Sequence, residues 1–389
     1  MDFHNLVQHF TLGSGATLGD GYLLGAQIPL HYVFEARSRA LDRHPTFSVF
    51  VERQGDITDD GIVVEYTRRA EDSLHEPNYG TGTITITDEG QKYIDSGRST
   101  FRINDQVMIF AGFEDQNIPI FSGIIRDVYV EAEAKAQTLT IAEMGYRLNT
   151  TKTSGDYGLY DSPKLLVDRL AALARTGDIV YENESGPPTT FTFGNTQLSL
   201  RSYWAMIHGA SLCLSYLQYF DERGRLNLSR RTTFDDTGYV FTDSEIEKLT
   251  HIQVAELINH KVIDYVKCIT PEFTAGDGIH PGQHTRSRTD SASKHKYGEF
   301  ADSEKDELIG SWSNAGLMIE QTLDFFPFSR DIYLMKTPAL PQLQIADRIF
   351  VRSDATGIEG FFAVLGIKAR ISVTSYSGSY ILLSEGEHF

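Results

Sequence analysis

The sequence predicts a mainly β protein with an α+β middle, two β-barrel domains flanking a mixed region. Three observations predict it. Strand-like alternation dominates both ends of the chain, from Phe47 to about residue 150 and again from Ile246 onward. Helical spacing is confined to the middle, beginning at residue 161. A pattern is also written twice, as INDQVMIFAGFEDQNIPIFSGII (103 to 125) and IADRIFVRSDATGIEGFFAVLGI (345 to 367).

In each copy an acidic turn residue (Asp105, Asp347) precedes an alternating apolar run. A polar, turn-prone stretch and a second apolar run follow, which is the pattern of a hairpin. A third strand then closes each meander, AQTLTIAE in the first copy and GSYILLSE in the second. The 242 residues between the two aspartates far exceed a solenoid period of roughly 20 to 50 residues, so two related β domains are expected.

Residues 1–28 are Gly-rich and read as an N-terminal arm. The first β domain spans 29–150, with FSVFVERQGDITDDGIVVEYTRR and GTGTITITD adding strands before the meander. The middle region, 151–245, opens on a helix: Asp161 or Ser162 as N-cap, Pro163 in the first turn, then Leu165, Leu166, Leu170 and Leu173 up to Gly177. A second helix of about 11 residues is marked by Leu200, Tyr203, Trp204 and Ile207, ending around Gly209. SLCLSYLQYFDERGRLNLSRR reads as two strands turned at Asp221 to Gly224. The second β domain spans 246–389, with strands resuming at LMIEQTLDFF after an insertion, 274–311, so poor in aliphatics that a long loop is expected.

At 389 residues the chain exceeds the roughly 250 to 300 at which a single core stops growing. A net charge of −18 argues against binding nucleic acid or anionic membranes by general attraction. MDFHNLVQHFTLGSG reads against a secretory signal, and no apolar run approaches the roughly 20 residues of a spanning helix. Cys213 and Cys268 sit in apolar runs and read as buried thiols.

The chemistry on offer is thin. His280, His284 and His295 invite a metal reading, but Pro281 and Gly282 break the first pair, so a solvated loop is favoured and no metal or cofactor is expected. With Arg286, Arg288, Lys294 and Lys296 they form a local basic patch, a candidate contact loop for an acidic neighbour or for DNA, against the plainer reading of a solvated loop. Phe325, Phe326 and Phe328, broken by Pro327, are a candidate exposed anchor. Trp204 reads as core. The pairs Asp127 with Glu131 and Asp221 with Glu222 read as solvated strand-edge or turn residues, against a glycosidase pair. A nucleophile elbow and a phosphate loop are both absent, so no enzyme is expected.

The order of parts then resembles a known family: a β domain, a helix beginning S-P-K-L-L-V-D-R-L, a second helix leading into a strand, the turn F-D-E-R-G-R-L-N-L, and a closing β domain. It is similar to the baseplate hub or tail-tip hub proteins of tailed bacteriophages and related contractile injection systems, over roughly residues 45 to 385. The resemblance implies two β-barrels like those of the tail tube and a homotrimer whose six barrels adapt a sixfold tube to a threefold spike or fibre complex. It further implies a tail tube or distal tail protein on one face and a spike, fibre or central tip protein on the other, with the tape-measure protein as a further neighbour. DNA would pass the lumen without specific binding, no membrane would be involved, and the protein would sit in the virion tail after assembly in the host cytoplasm. A tail-associated cell-wall hydrolase and a carbohydrate-binding adhesin are the alternatives.

Overall fold

The computed structural model describes residues 45–70, 79–87, 92–113, 116–131, 135–152, 163–174, 179–181, 202–213, 216–230, 235–254, 258–266, 283–306, 312–325, 330–338, 340–372 and 375–384. It is mainly β, as the alternation predicted, and most of its described strands gather into one large, mostly antiparallel sheet.

The first six principal strands are β1 (Pro45–Val51), β3 (Ile62–Arg69), β4 (Thr81–Thr87), β7 (Gln106–Phe113), β8 (Gln116–Glu131) and β9 (Ala136–Ala142). Three two-residue strands, β2 (Gly55–Asp56), β5 (Ile94–Asp95) and β6 (Arg98–Ser99), decorate the connections. Their side chains obey the period of two: along β3, Ile62, Val64, Tyr66 and Arg68 are buried while the residues between them are half-buried.

The middle region holds α1 (Gly145–Thr150), α2 (Pro163–Ala174) and α3 (Tyr203–Cys213), with a sheet of order β10-β12-β11 from β10 (Ile179–Tyr181), β11 (Tyr216–Phe220) and β12 (Leu226–Arg230). Helix α2 begins at Pro163 as expected and buries Val167, Leu170 and Ala171, one stripe of a helix. Helix α3 runs past Gly209, where it was expected to end. Trp204, Met206, Ile207, His208 and Ser211 are all buried, and that packing outweighs the roughly 1 kcal/mol a mid-helix glycine costs. The β11/β12 turn forms where predicted: Asp221 Oδ1 accepts the Arg223 and Arg225 N–H groups at 3.0 and 2.8 Å, and Gly224 takes φ 77°.

The C-terminal half supplies β13 (Asp235–Thr242), β14 (Lys248–Val254), β18 (Arg330–Pro338), β19 (Asp347–Ser353), β20 (Ile358–Ser372) and β21 (Ser375–Ser384). Between β14 and β18 lies a smaller sheet of order β16-β15-β17, from β15 (His260–Val266), β16 (Gln283–Thr289) and β17 (Ala301–Asp306), with helices α4 (Ser291–Tyr297) and α5 (Trp312–Phe325).

Two expectations change here. Residues 283–306, expected as part of a long loop, form strand, helix and strand. The ordering comes from backbone pairing to β15 on both sides, from Asp290 capping α4 through the Ser293 N–H at 2.7 Å, and from Asn259, whose amide donates to Gly298 O at 2.6 Å and accepts the Phe300 N–H at 2.8 Å. Counting aliphatics misses this source of order. LMIEQTLDFF, expected as a strand, mostly lies within α5. Ala315, Met318, Ile319 and Leu323 are buried at helical spacing, against the same core as Leu148, Leu170 and Trp204.

Placed in order, the two halves follow one plan. In the first, six strands arise along the chain as β1, β3, β4, β7, β8, β9 and lie side by side as β1-β7-β8-β9-β4-β3. In the second, β13, β14, β18, β19, β20, β21 lie as β13-β19-β20-β21-β18-β14. The repeat visible in the sequence as a meander is therefore six strands long. One pairing departs from it: β1 runs antiparallel to β7, whereas β13 runs parallel to β19. The halves meet edge to edge, β3 against β20, from Val64↔Ile371 to Arg69↔Gly366, so one sheet and one apolar core run through both.

Candidate functional site

Two places in the fold stand out, a buried polar junction and a pair of open sheet edges. The junction is centred on Arg68, which falls on the inward phase of β3 behind Ile62, Val64 and Tyr66. A buried guanidinium needs partners for its donors, and they come from four distant parts of the chain. Arg68 Nε donates to Glu143 Oε1 at 3.0 Å, and Nη1 donates to Ile120 O and to Gln344 Oε1 at 3.2 and 2.8 Å. Nη2 donates to Phe220 O at 2.6 Å, reaching the middle region.

Glu143 is buried as deeply and accepts the Gly80 N–H at 2.5 Å on its other oxygen. Burial pushes its carboxyl up to about 7, against the opposing pull of Arg68 and of the Gly80 N–H. Nearby Glu222 is raised too, by burial first and by the Asp221 charge second. Asp221 is itself buried and pairs with Arg225 Nε at 2.6 Å. The expectation that Asp221 and Glu222 are solvated turn residues is corrected: the turn packs inward, against the Arg68 junction. Asp127, by contrast, is only half-buried and pairs with Arg126 at 2.6 Å. Arg68 and Glu143 present no face to a substrate, so what this arrangement does is hold the two halves and the middle region together.

The open edges follow from the six-strand plan. Strand β20 is long: residues 358–363 pair with β19 and residues 366–371 pair with β3. Its counterpart β8 is equally long, pairing with β7 over residues 116–124. Beyond that, residues 127–131 pair with β9 on one side and, among the described residues, with no strand on the other. The counterpart of β3 is β14, which has β18 on one side and likewise no strand on the other. Among the described residues, the inner edges of the repeat are joined and the outer ones carry no paired strand.

Burial records the difference. In the joined β20, Ile367 and Ala369 are 5% and 3% exposed, whereas Val128 and Val130, at the equivalent places in β8, are only half-buried. On the open edges Tyr129 is 56% and Ile252 38% exposed, two of the largest apolar side chains at the surface.

The residues singled out from the sequence do not gather at either place. His280, Phe326 and Phe328 lie outside the described residues, and Phe325 is the last residue of α5. His284, Arg286 and Arg288 are spaced along β16. The Arg286 guanidinium packs where a side chain on Gly316 would stand, and Arg288 Nη1 lies 3.3 Å from Glu320. On α4, Lys294 pairs with Glu299, Lys296 lies over the Tyr297 ring at 4.8 Å, and His295 is exposed. Trp204 is core, stacked on Phe220 at 5.6 Å. Sequence reasoning missed Arg68, Glu143, Tyr129 and Ile252. The signal for Arg68 was present, since an arginine on the inward phase of an alternating strand implies a buried acceptor.

No family model matches the chain, and no curated protein matches it in sequence. Solved structures do match in fold. The 43 kDa tail protein of prophage MuSo2 from Shewanella oneidensis is 10% identical at a TM-score of 0.59, over 87% of this chain and 98% of its own. A tail protein from Neisseria meningitidis is 11% identical at a TM-score of 0.60, over 88% and 97%. An E. coli component of the type VI secretion system, described as similar to the T4 bacteriophage tail proteins gp27 and gp5, is 10% identical at a TM-score of 0.53, over 88% and 78%. Over 87 to 88% of its length, this chain has the fold of phage tail proteins and of that secretion component.

Proposed function

We propose that the protein is a structural hub of a phage-like tail baseplate or tail tip, resident in the virion tail. It is a homotrimer whose six β domains join the sixfold tail tube to a threefold spike or fibre complex and surround a channel for DNA or effectors. The observation that supports this is the six-strand repeat joined at β3 and β20, with the corresponding outer edges, β14 and residues 127–131 of β8, left open. A heterologous, head-to-tail contact of that kind closes into a ring when the rotation allows.

The path β14-β18-β21-β20-β3-β4-β9-β8 contributes eight strands per chain, so three chains make a barrel of 24. Strands about 4.8 Å apart give such a barrel a backbone diameter of about 37 Å before tilt widens it. Barrels of 16 to 18 strands already leave an aqueous channel. The sheet face opposite the core is rich in hydroxyls: one cross-strand row runs Ser377, Arg370, Glu65, Thr83, Thr140. Its two charges pair with each other at 3.2 Å. A wall of that kind offers a passing polyanion little to hold.

Light scattering with negative-stain imaging tests the reading. The expected result is a particle of three 43.6 kDa chains, about 131 kDa, with a central hole. A compact monomer at every concentration would overturn it.

A further inference from the structure

The face of the joined sheet that points away from the core differs between the two halves. Just past the bulges of the two long strands, Asp127 pairs with Thr140 and Thr140 with Thr83, whereas Gly366 pairs with Ile381 and Ile381 with Leu334. Two residues further along β8 and β20, the corresponding rows run Tyr129, Thr138, Thr85 and Lys368, Ser379, Lys336. Leu334 and Ile381 thus stand where the first half has Thr83 and Thr140, and Lys336 stands where it has Thr85.

Strand β14 extends both rows. It sets Thr250 beside Leu334 and Lys248 beside Lys336, with Ile252 two residues on along the same face. Leu334 is 40% and Ile252 38% exposed, and Ile381 is half-buried. Lys248, Lys336 and Lys368 are all exposed. Glu247 pairs with Lys336 at 2.7 Å, and Glu65 pairs with Arg370 at 3.2 Å. Among the described residues no ion pair engages Lys248 or Lys368. On a chain of net charge −18, this face sets local positive charge next to uncovered aliphatic side chains.

We propose that this face docks a segment of a partner protein in which carboxylates stand beside aliphatic side chains. Its place in a channel wall rests on the ring reading above, whereas the face itself lies within one chain. The two rows are two residues apart along each strand, about 7 Å. One stripe of such a segment therefore meets Leu334, Ile381 and Ile252 while the neighbouring stripe meets the lysines. Exposed ion pairs contribute little affinity but orient and select the partner. Covering the aliphatic side chains supplies the rest. Duplex DNA would use the lysines and leave Leu334 and Ile252 in water, so the aliphatic strip favours a protein segment over nucleic acid.

The test uses the full chain and three fluorescent probes followed by anisotropy: an amphipathic peptide of leucine and glutamate, a peptide of serine and glutamate with the same charge, and duplex DNA. The wild type is expected to bind the leucine peptide, and the serine peptide roughly tenfold more weakly. Leu334→Ser is expected to remove that preference. A Lys248→Glu, Lys368→Glu double variant is expected to weaken the leucine peptide by roughly tenfold while melting like the wild type, because both side chains are exposed. DNA or the serine peptide binding as tightly as the leucine peptide would overturn the proposal, since charge alone would then account for the face. A leucine peptide that does not bind, or whose binding survives both variants, overturns it equally. Light scattering on the same samples separates the two readings: a ring that fails to bind overturns the docking face alone, and a monomer that binds supports the face while overturning the ring.

Discussion

Asp105 and Asp347, 242 residues apart, close the same turn at the same point of the two β domains. The Asp105 carboxylate accepts the N–H of Arg102 at 3.3 Å, and that of Asp347 accepts the N–H of Gln344 at 2.7 Å. Each also returns its own N–H to the carbonyl three residues back, at 3.2 and 3.3 Å. The residue before each aspartate is left-handed, Asn104 at φ 71° and Ala346 at φ 70°.

That shared geometry makes the second turn improvable. Alanine is strained by roughly 1 kcal/mol at positive φ, where glycine is not. Ala346→Gly is expected to raise stability by about 0.5 to 1 kcal/mol in chemical denaturation. Asp347→Ala removes the side-chain acceptor and is expected to cost about 1 kcal/mol.

The Arg68 junction predicts an unusual pH dependence. Glu143 has its folded pKa raised from 4.5 to about 7, so between those values the folded state binds more protons than the unfolded one. Stability from this group is then greatest below pH 4.5 and falls as pH rises toward 7, by on the order of 3 kcal/mol in full. The upward shift of Glu222 acts in the same direction. Thermal melts from pH 5 to 8 should show a declining midpoint in the wild type. Glu143→Gln, which keeps acceptor and shape, should have a visibly shallower decline.

Close strand approach is testable at two glycines. A Cβ at Gly123 would lie 2.2 Å from Ala142 O, a backbone atom that cannot move away, whereas at Gly360 the nearest atom is Phe362 Cε2 at 3.9 Å. Gly123→Ala is expected to cost more than about 2 kcal/mol or to prevent folding, and Gly360→Ala to change stability by less than about 0.5 kcal/mol. Equal costs at the two positions would refute the close approach.

The small sheet holds a fully buried lysine, Lys261, paired with Asp302. Asp302→Asn takes a carboxylate from beside a buried charge and is expected to destabilise by about 3 kcal/mol. Replacing the lysine by an apolar residue of similar length removes that charge. Lys261→Met is expected to cost far less, as measured by denaturant titration.

Much of this architecture was legible in the sequence because period and turn chemistry are local properties. Alternation placed β3, β4, β7 to β9 and β19 to β21, Pro163 placed the start of α2, and the aspartate to glycine turn placed β11 against β12. The doubled meander showed that two related units exist. Local pattern could not show that the repeat is six strands long, because β14 and β18 are separated by the 258–325 insertion and only their pairing makes them neighbours. The ordering of residues 283–306 was equally hidden, since it comes from a strand that a polar segment pairs with and from no apolar face of its own. Arg68 was readable as an inward arginine, but its partners Glu143, Phe220 and Gln344 lie 75, 152 and 276 residues away. The sequence alone thus determined the kinds of element and their duplication. Tertiary structure decided which edges are joined and which are left open, because edge pairing is a backbone interaction that side-chain pattern permits without specifying.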